Sequence, residues 1–179
     1  IMFAHIAARN LDSMITGNLL AFVLITIAIT IALRSLRLGL ISLVVNTMPL
    51  VMTLGAWSLL VGQLGLASSL MISTALGIIV DDTVHFLSKY ARHRRETNAT
   101  AREAVICAFH NVSRPMVVTT VVLVSGFGLL STSAYLVNAH LGLLTSLTIV
   151  FALITDLLLL PGILLAWNKN TTKDESKSR

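Results

Sequence analysis

The stretch Gly77-Ile-Ile-Val-Asp81-Asp82-Thr-Val-His85-Phe86 places two adjacent carboxyl groups and an imidazole inside a long apolar segment. Burying an ionisable side chain in hydrocarbon costs free energy, so such residues usually face a helix-bundle interior or a water-filled cavity. This stretch therefore marks a candidate functional site, and the rest of the chain is expected to hold it at a fixed depth in a membrane.

The composition of the 179-residue chain is that of a membrane protein. Hydrophobic residues make up 55% of it, charged residues make up 12%, and the mean hydropathy is +0.86. Soluble domains carry about 25% charged residues. The net charge of +5 could indicate nucleic-acid binding, but the basic residues lie between apolar segments. This distribution is typical of membrane topology and argues against a nucleic-acid partner.

Uncharged segments predict five membrane spans, because about 20 apolar residues cross a bilayer as a helix. Arg34 and Arg37 end the first span, and the following uncharged run is long enough for two spans with a turn at 62–65. Thr100-Ala-Arg-Glu103 has the form of a helix capping box, and the apolar residues after it follow at helical spacing. This pattern predicts a short amphipathic helix on the membrane surface.

The predicted fold is therefore all-α and integral to the membrane. A chain that begins with Ile1 is expected to be a fragment of a longer protein. The predicted organisation is a lead-in from an extracytoplasmic domain at 1–12, a transmembrane domain at 13–168 with spans at 13–33, 39–62, 66–90, 115–135 and 139–167 and a surface helix at 100–112, and a disordered tail at 169–179.

The distribution of lysine and arginine predicts the orientation. Threading five spans puts 12 of the 13 Lys and Arg residues on one side of the membrane and only Arg9 on the other. The positive-inside rule makes the basic side the cytoplasm. We therefore expect a protein of the cytoplasmic (inner) membrane, in contact with the lipid bilayer, whose N-terminal end lies outside and whose tail lies in the cytoplasm.

Polar side chains from four spans are predicted to lie at a similar depth. Counting 1.5 Å per residue from the centre of each span puts them about 5 to 10 Å to the cytoplasmic side of the midplane. These residues are Asn46, Asp81, Asp82, His85, Thr119, Thr120 and Asp156. If their faces converge, they form a buried hydrogen-bonded network.

Spacing within the third span puts its polar residues on one helix face. The residues Thr74, Gly77, Asp81, His85 and Ser88 recur at intervals of three and four, and Asp82 is three residues from His85. Small residues let membrane helices approach closely, which predicts close packing at Gly77.

The paired carboxyl groups predict a proton relay. Two carboxyls this close in a low dielectric cannot both stay ionised cheaply, so the pair can load a proton from one side and release it to the other. His85 could extend the relay, because imidazole titrates near neutral pH. Thr119 and Thr120 could donate hydrogen bonds to whichever carboxylate is charged, and Asn46 and Asp156 are further support residues.

These residues resemble those of a known family. The segment Leu76-Gly-Ile-Ile-Val-Asp-Asp-Thr-Val-His-Phe-Leu87 resembles the relay helix of the resistance-nodulation-division exporters, in the MMPL-like hydrophobe and lipid branch related to Patched, Dispatched and sterol-sensing proteins. The resemblance covers residues 15–167. Other matching pieces, in the same order, are Arg34-Ser-Leu-Arg-Leu-Gly39 with Pro49, Thr119-Thr120, Ser125-Gly126-Phe127 and Asp156-Leu-Leu-Leu-Leu-Pro161.

The resemblance implies that this chain supplies the last five spans of a twelve-span exporter. Such a protein would use the proton motive force to export hydrophobic or lipid-like molecules. It implies Asp81 as the relay aspartate, Thr119 or Thr120 as its hydroxyl partner, and Gly126 as a second site of close helix packing. Many members have Tyr where this chain has Asp82, and paired aspartates can also hold Na⁺, so the coupling ion stays open between H⁺ and Na⁺.

Partners and alternative functions follow from the same reading. The implied partners are the first seven spans and two extracytoplasmic domains of the same polypeptide, and a homo-oligomer stays open. A non-transporting sterol- or lipid-sensing module can share the fold, although a sensor has no need of titratable groups near the midplane. An intramembrane aspartyl protease would pair Asp81 and Asp82 with Asp156, but its Gly-x-Gly-Asp pattern is absent.

A metal site built from Asp81, Asp82 and His85 would lack ligands from a second helix. The sequence therefore predicts a transporter rather than an enzyme, with no cofactor beyond the coupling ion and no metal site.

Overall fold

The computed structural model describes residues 2–60, 66–97 and 99–167, and the regular structure of that part of the chain is helical throughout. Five helices in it are long and apolar enough to cross a membrane, which confirms the five predicted spans. The helices are α1 (Met2–Leu33), α2 (Leu36–Leu60), α3 (Leu66–Thr97), α4 (Ala101–Leu130) and α5 (Leu136–Ile154), and α5 continues through a π-helical segment (Thr155–Leu159) into residues 160–167.

Helix α3 is the centre of the fold, because it packs against each of the other four helices. Its buried face joins two apolar clusters. One contains Phe86 and Leu87 of α3, and the other contains Met71 and Ile79. Thr83 lies between these two sets of residues along α3 and is itself completely buried.

We call the end of the bundle that holds the α1–α2 turn and the α3–α4 connection the basic side. Here α3 extends to Thr97, beyond its predicted end at residue 90, and α4 starts within a few residues of it. The Arg95 guanidinium donates a hydrogen bond to the carbonyl oxygen of Leu33, the last residue of α1. A cation at a helix C-terminus is stabilising because the terminal carbonyl groups carry partial negative charge, so this contact ties the α3 extension to the α1–α2 turn.

The prediction of a separate surface helix at 100–112 is wrong, because these residues are the first part of the continuous helix α4. The predicted capping box is confirmed: the Glu103 N–H donates to Thr100 Oγ1 at 3.4 Å, and the Thr100 N–H donates to Glu103 Oε2 at 2.9 Å. The helix then runs through Pro115 without a break.

A single stripe of buried residues explains why α4 continues through Pro115. Its members recur every fourth residue on both sides of the proline: Ala104, Ala108, Val112, Met116 and Thr120. Residues four apart share a helix face, and the first four of them belong to the apolar cluster around Phe86. Packing on α3 therefore compensates for the hydrogen bond that Pro115 cannot donate.

Five predicted segments have other bounds in the structure or lie outside the described residues. The lead-in predicted at 1–12 is helical from Met2 and continuous with α1. The predicted fourth span ends at Leu130 instead of residue 135, and the fifth begins at Leu136 instead of residue 139. The turn at 62–65 and the tail at 169–179 lie outside the described residues.

Among the described residues, the close helix contacts involve other glycines than Gly77 and Gly126. A Cβ atom added at Gly77 or Gly126 would meet no atom within 4 Å among the described residues. At Gly142 of α5 such an atom would lie 2.6 Å from the Phe127 carbonyl oxygen and 2.7 Å from the Ser131 backbone nitrogen of the α4 end. Gly39 similarly faces the Thr30 side chain across the α1–α2 turn. These contacts follow from the connections, since short turns bring neighbouring helix ends together.

Replacing Gly142 with alanine is expected to lower the free energy of unfolding by about 1–2 kcal/mol. Because the new Cβ would meet backbone atoms, overpacking is expected to cost the upper part of the usual range, about 2–3 kcal/mol, and the better helix propensity of alanine returns about 1 kcal/mol. The measurement is the melting temperature of the full-length protein in detergent. Gly162→Ala on the same helical run is the control, since its new Cβ would meet nothing within 4 Å. Equal melting of the Gly142→Ala and Gly162→Ala variants would contradict the close α4–α5 contact.

Candidate functional site

Helix α3 has an open face that the other described helices do not cover. We use this name for the stripe of exposed residues Thr74, Gly77, Asp81, His85 and Ser88. The structure thus places the predicted polar residues on one face, as their spacing requires. It places that face on the outside of the five helices, however, and not in their shared interior.

Asp82 lies at the edge between the open face and the interior. Its side chain is partly buried, whereas Asp81 and His85 are exposed. Asp82 interacts electrostatically with both of these neighbours, and also with Asp156 across the bundle. Asp82 therefore connects the open face to the buried polar groups behind α3.

The interior holds a polar network that joins three helices. Thr83 Oγ1 of α3 lies 2.6 Å from Asn46 Oδ1 of α2 and 3.0 Å from Asp156 Oδ1 of the π-helical segment. Asn46 Nδ2 donates to Ser42 Oγ at 3.1 Å. At most 5% of each of these four side chains is exposed. The predicted convergence of Asn46 and Asp156 is thus found, and Thr83 is the residue that joins them.

The spacing of Asp81 and His85 does not point to Thr83, because Thr83 lies on another face of α3. The signal that could have found it is its position in the apolar stripe formed by Ile79, Phe86 and Leu87. A hydroxyl group within such a stripe needs a partner when it is buried. A polar residue on the apolar face was therefore as informative as the carboxyl pair on the polar face.

The two threonines of α4 do not bond a carboxylate in this structure. Thr119 is exposed, and its hydroxyl donates to backbone carbonyl groups of its own helix, at 3.1 Å from Pro115 and 2.9 Å from Met116. Thr120 is buried, and its Oγ1 has no hydrogen-bond partner among the described residues. Threonine in a helix readily bonds the preceding turn, which accounts for Thr119.

The π-helical segment positions Asp156. The Leu160 N–H bonds the Thr155 carbonyl, five residues back, and Pro161 has no N–H to continue the helix ladder. The widened turn therefore contains the buried Asp156 and ends just before the proline. Such π-helical turns occur often at functional sites.

Comparison with known proteins places these features in a family. The sequence model of the MMPL family matches residues 1–179, the whole chain. The chain belongs to the MMPL family. The resemblance to resistance-nodulation-division exporters, stated from the residues around Asp81, agrees with this membership.

A curated relative shows how much of a longer protein this MMPL domain represents. The chain is 28% identical over 153 residues to the hopanoid transporter HpnN of Burkholderia multivorans, a match that covers 86% of the chain. The same match covers 17% of HpnN, so the MMPL domain spans about a sixth of the length of this relative. In this relative, the segment that matches the chain is thus accompanied by a much longer stretch of polypeptide.

Proposed function

We propose that this MMPL domain is the C-terminal membrane part of a secondary transporter that uses the proton motive force to export hydrophobic or lipid-like molecules. The open face of α3 is the observation that carries the proposal. In a helix suited to crossing a membrane, it turns Asp81 and His85 away from every other described helix. Such side chains are costly against lipid, so this face calls for a cavity or for further helices of the same polypeptide.

The family and the relative support the transport part of the proposal. MMPL membership favours a transporter over an enzyme. The related protein from Burkholderia multivorans is named a hopanoid transporter, which supports a lipid-like substrate for the protein that contains this chain. The remaining length of that relative leaves room for the first seven spans and the extracytoplasmic domains that we propose as partners.

The orientation and the ion-binding step complete the proposal. The basic side of the bundle faces the cytoplasm of an inner membrane, because it carries every lysine and arginine of the described part of the chain except Arg9. A proton binds at the Asp81–Asp82 pair from the open face of α3. Because α3 packs against each of the other four helices, a change in charge on α3 can alter the packing of the whole bundle.

Proton flux in vesicles tests this function. The full-length protein would be reconstituted with an imposed pH gradient, and lumenal pH would be followed while a lipid-like substrate such as a hopanoid is added. We expect substrate addition to accelerate the dissipation of the gradient. A response to a Na⁺ gradient, with none to a pH gradient, would show that the coupling ion is Na⁺ and not H⁺. Substrate binding with no flux of either ion would favour a lipid-sensing module and overturn the proposal.

A further inference from the structure

We infer that Asp156 is a proton-binding site separate from the Asp81–Asp82 pair, and that its proton sets the direction of the hydrogen bonds running through Thr83 to Asn46. The role of this proton in transport rests on the proposed function. The presence of the proton on Asp156 does not rest on that function, because it is inferred from the hydrogen-bond geometry of the described helices.

The surroundings of Asp156 suit a neutral carboxyl group. The side chain is 1% exposed, and its Oδ2 atom has no hydrogen-bond partner among the described residues. Among the described residues its Oδ1 atom has one hydrogen-bond partner, Thr83 Oγ1, at 3.0 Å. An ionised carboxylate at such depth needs several donors or a cation to offset its lost hydration. One shared hydroxyl group does not meet that need.

The count of hydrogens points the same way. A threonine hydroxyl has one hydrogen to donate, but Thr83 Oγ1 has three acceptors in range, Asn46 Oδ1 at 2.6 Å, Asp156 Oδ1 at 3.0 Å and the Ile79 carbonyl at 3.3 Å. The Asn46 amide already points its Nδ2 at Ser42, so its Oδ1 can only accept from Thr83. With the Thr83 hydrogen on Asn46, the hydrogen between Thr83 and Asp156 must come from Asp156.

The result is a chain of donors with one direction. Asp156 donates to Thr83, Thr83 donates to Asn46, and Asn46 donates to Ser42. When Asp156 loses its proton, the Thr83 hydrogen must turn to the carboxylate, and Asn46 Oδ1 loses its donor. The proton on Asp156 therefore decides whether Thr83 of α3 donates its hydrogen bond to Asn46 of α2.

The charged groups around Asp156 determine how readily it binds a proton. Asp82 of α3 is the ionisable residue that interacts with it electrostatically. In α2 the ionisable residue is Arg37, nine positions before Asn46, or about 13 Å along the helix. In α4 the ionisable residues lie between Arg102 and Arg114, on the basic side. The proton occupancy of Asp156 thus depends on the charge of Asp82, which connects the open face to the buried chain.

Infrared difference spectroscopy on the full-length protein at neutral pH tests the inference. The spectrum of wild type minus Asp156→Asn is expected to contain the carbonyl band of a protonated carboxyl group, sensitive to deuterium exchange. In Thr83→Val this band should move to higher frequency, because the acid loses its hydrogen-bond acceptor. Thr145→Val is the matched control, since Thr145 is a buried threonine whose Oγ1 has no partner among the described residues, and it should leave the band in place.

Two outcomes would overturn the inference. Carboxylate bands in the same difference spectrum would show that Asp156 is ionised. A protonated band that Thr83→Val leaves unmoved would show that Thr83 does not accept its hydrogen. If Thr83→Val does not fold, Thr83→Ser keeps the hydroxyl group and must keep the band. The measurement needs neither substrate nor gradient, so absence of transport in vesicles would contradict the proposed function and leave this result standing.

Discussion

Full-length protein carrying Asp81→Asn or Asp82→Asn is expected to lose substrate-stimulated proton flux by about 10²-fold or more, the order found when a proton-transferring side chain is removed. Asparagine has nearly the same shape as aspartate but cannot bind and release a proton. We expect both carboxyl groups to be needed, because Asp81 faces the open side of α3 and Asp82 interacts with the buried Asp156. The measurement is lumenal pH in vesicles, with and without a lipid-like substrate.

Thr74→Ala is the matched control for these two variants. Thr74 belongs to the same open face, cannot titrate, and its hydroxyl group bonds the carbonyl of Leu70 in its own helix at 3.0 Å. The control variant should retain flux. Wild-type flux in both asparagine variants, with melting temperatures showing that they are folded, would rule out a proton path through Asp81 and Asp82.

Replacing Ala108 with leucine is expected to destabilise the protein by about 1–3 kcal/mol. Ala108 is completely buried and packs in the cluster that contains Phe86 and Leu87 of α3. Three additional carbon atoms cannot fit there without moving α4 from α3. The measurement is the melting temperature in detergent, which should fall relative to wild type.

An exposed alanine in a membrane-crossing segment gives the matched control for this substitution. Ala28 of α1 is exposed, so leucine at that position would extend into lipid or detergent and leave stability nearly unchanged. Equal melting temperatures for Ala108→Leu and Ala28→Leu would contradict the packing of α4 on α3. That result would favour the predicted position of residues 100–112 on the membrane surface.

The sequence predicted α4 in part, and the error has a specific cause. The capping residues Thr100 and Glu103 were sufficient to locate the helix start, because capping is a contact within one turn. Pro115 predicts the start of a new helix, because proline disfavours helix interiors. The buried stripe through Ala108 and Met116 outweighs that local preference, and the partner for that stripe is a surface of α3, far away in sequence.

At the candidate site, too, the sequence predicts the features that depend on one helix and not those that depend on packing between helices. Spacing alone put Asp81 and His85 on one face of α3, since helix periodicity is local. Spacing could not say whether that face is covered, because coverage depends on where the other helices lie. The importance of Thr83 depends on packing in the same way, because its hydroxyl group meets Asn46 of α2 and Asp156 of the π-helical segment.

By itself, the sequence determined that the protein is a membrane domain of five spanning helices with ionisable groups at depth, because hydropathy, length and periodicity are properties of each segment alone. Only the tertiary structure decided that Asp81 faces outward from the described helices, that Gly142 makes a close contact among them whereas Gly77 and Gly126 do not, and that Thr83 joins three helices. These features depend on the rotation of each helix about its axis and on which helices are neighbours. Packing between distant segments sets both, and no single segment encodes them.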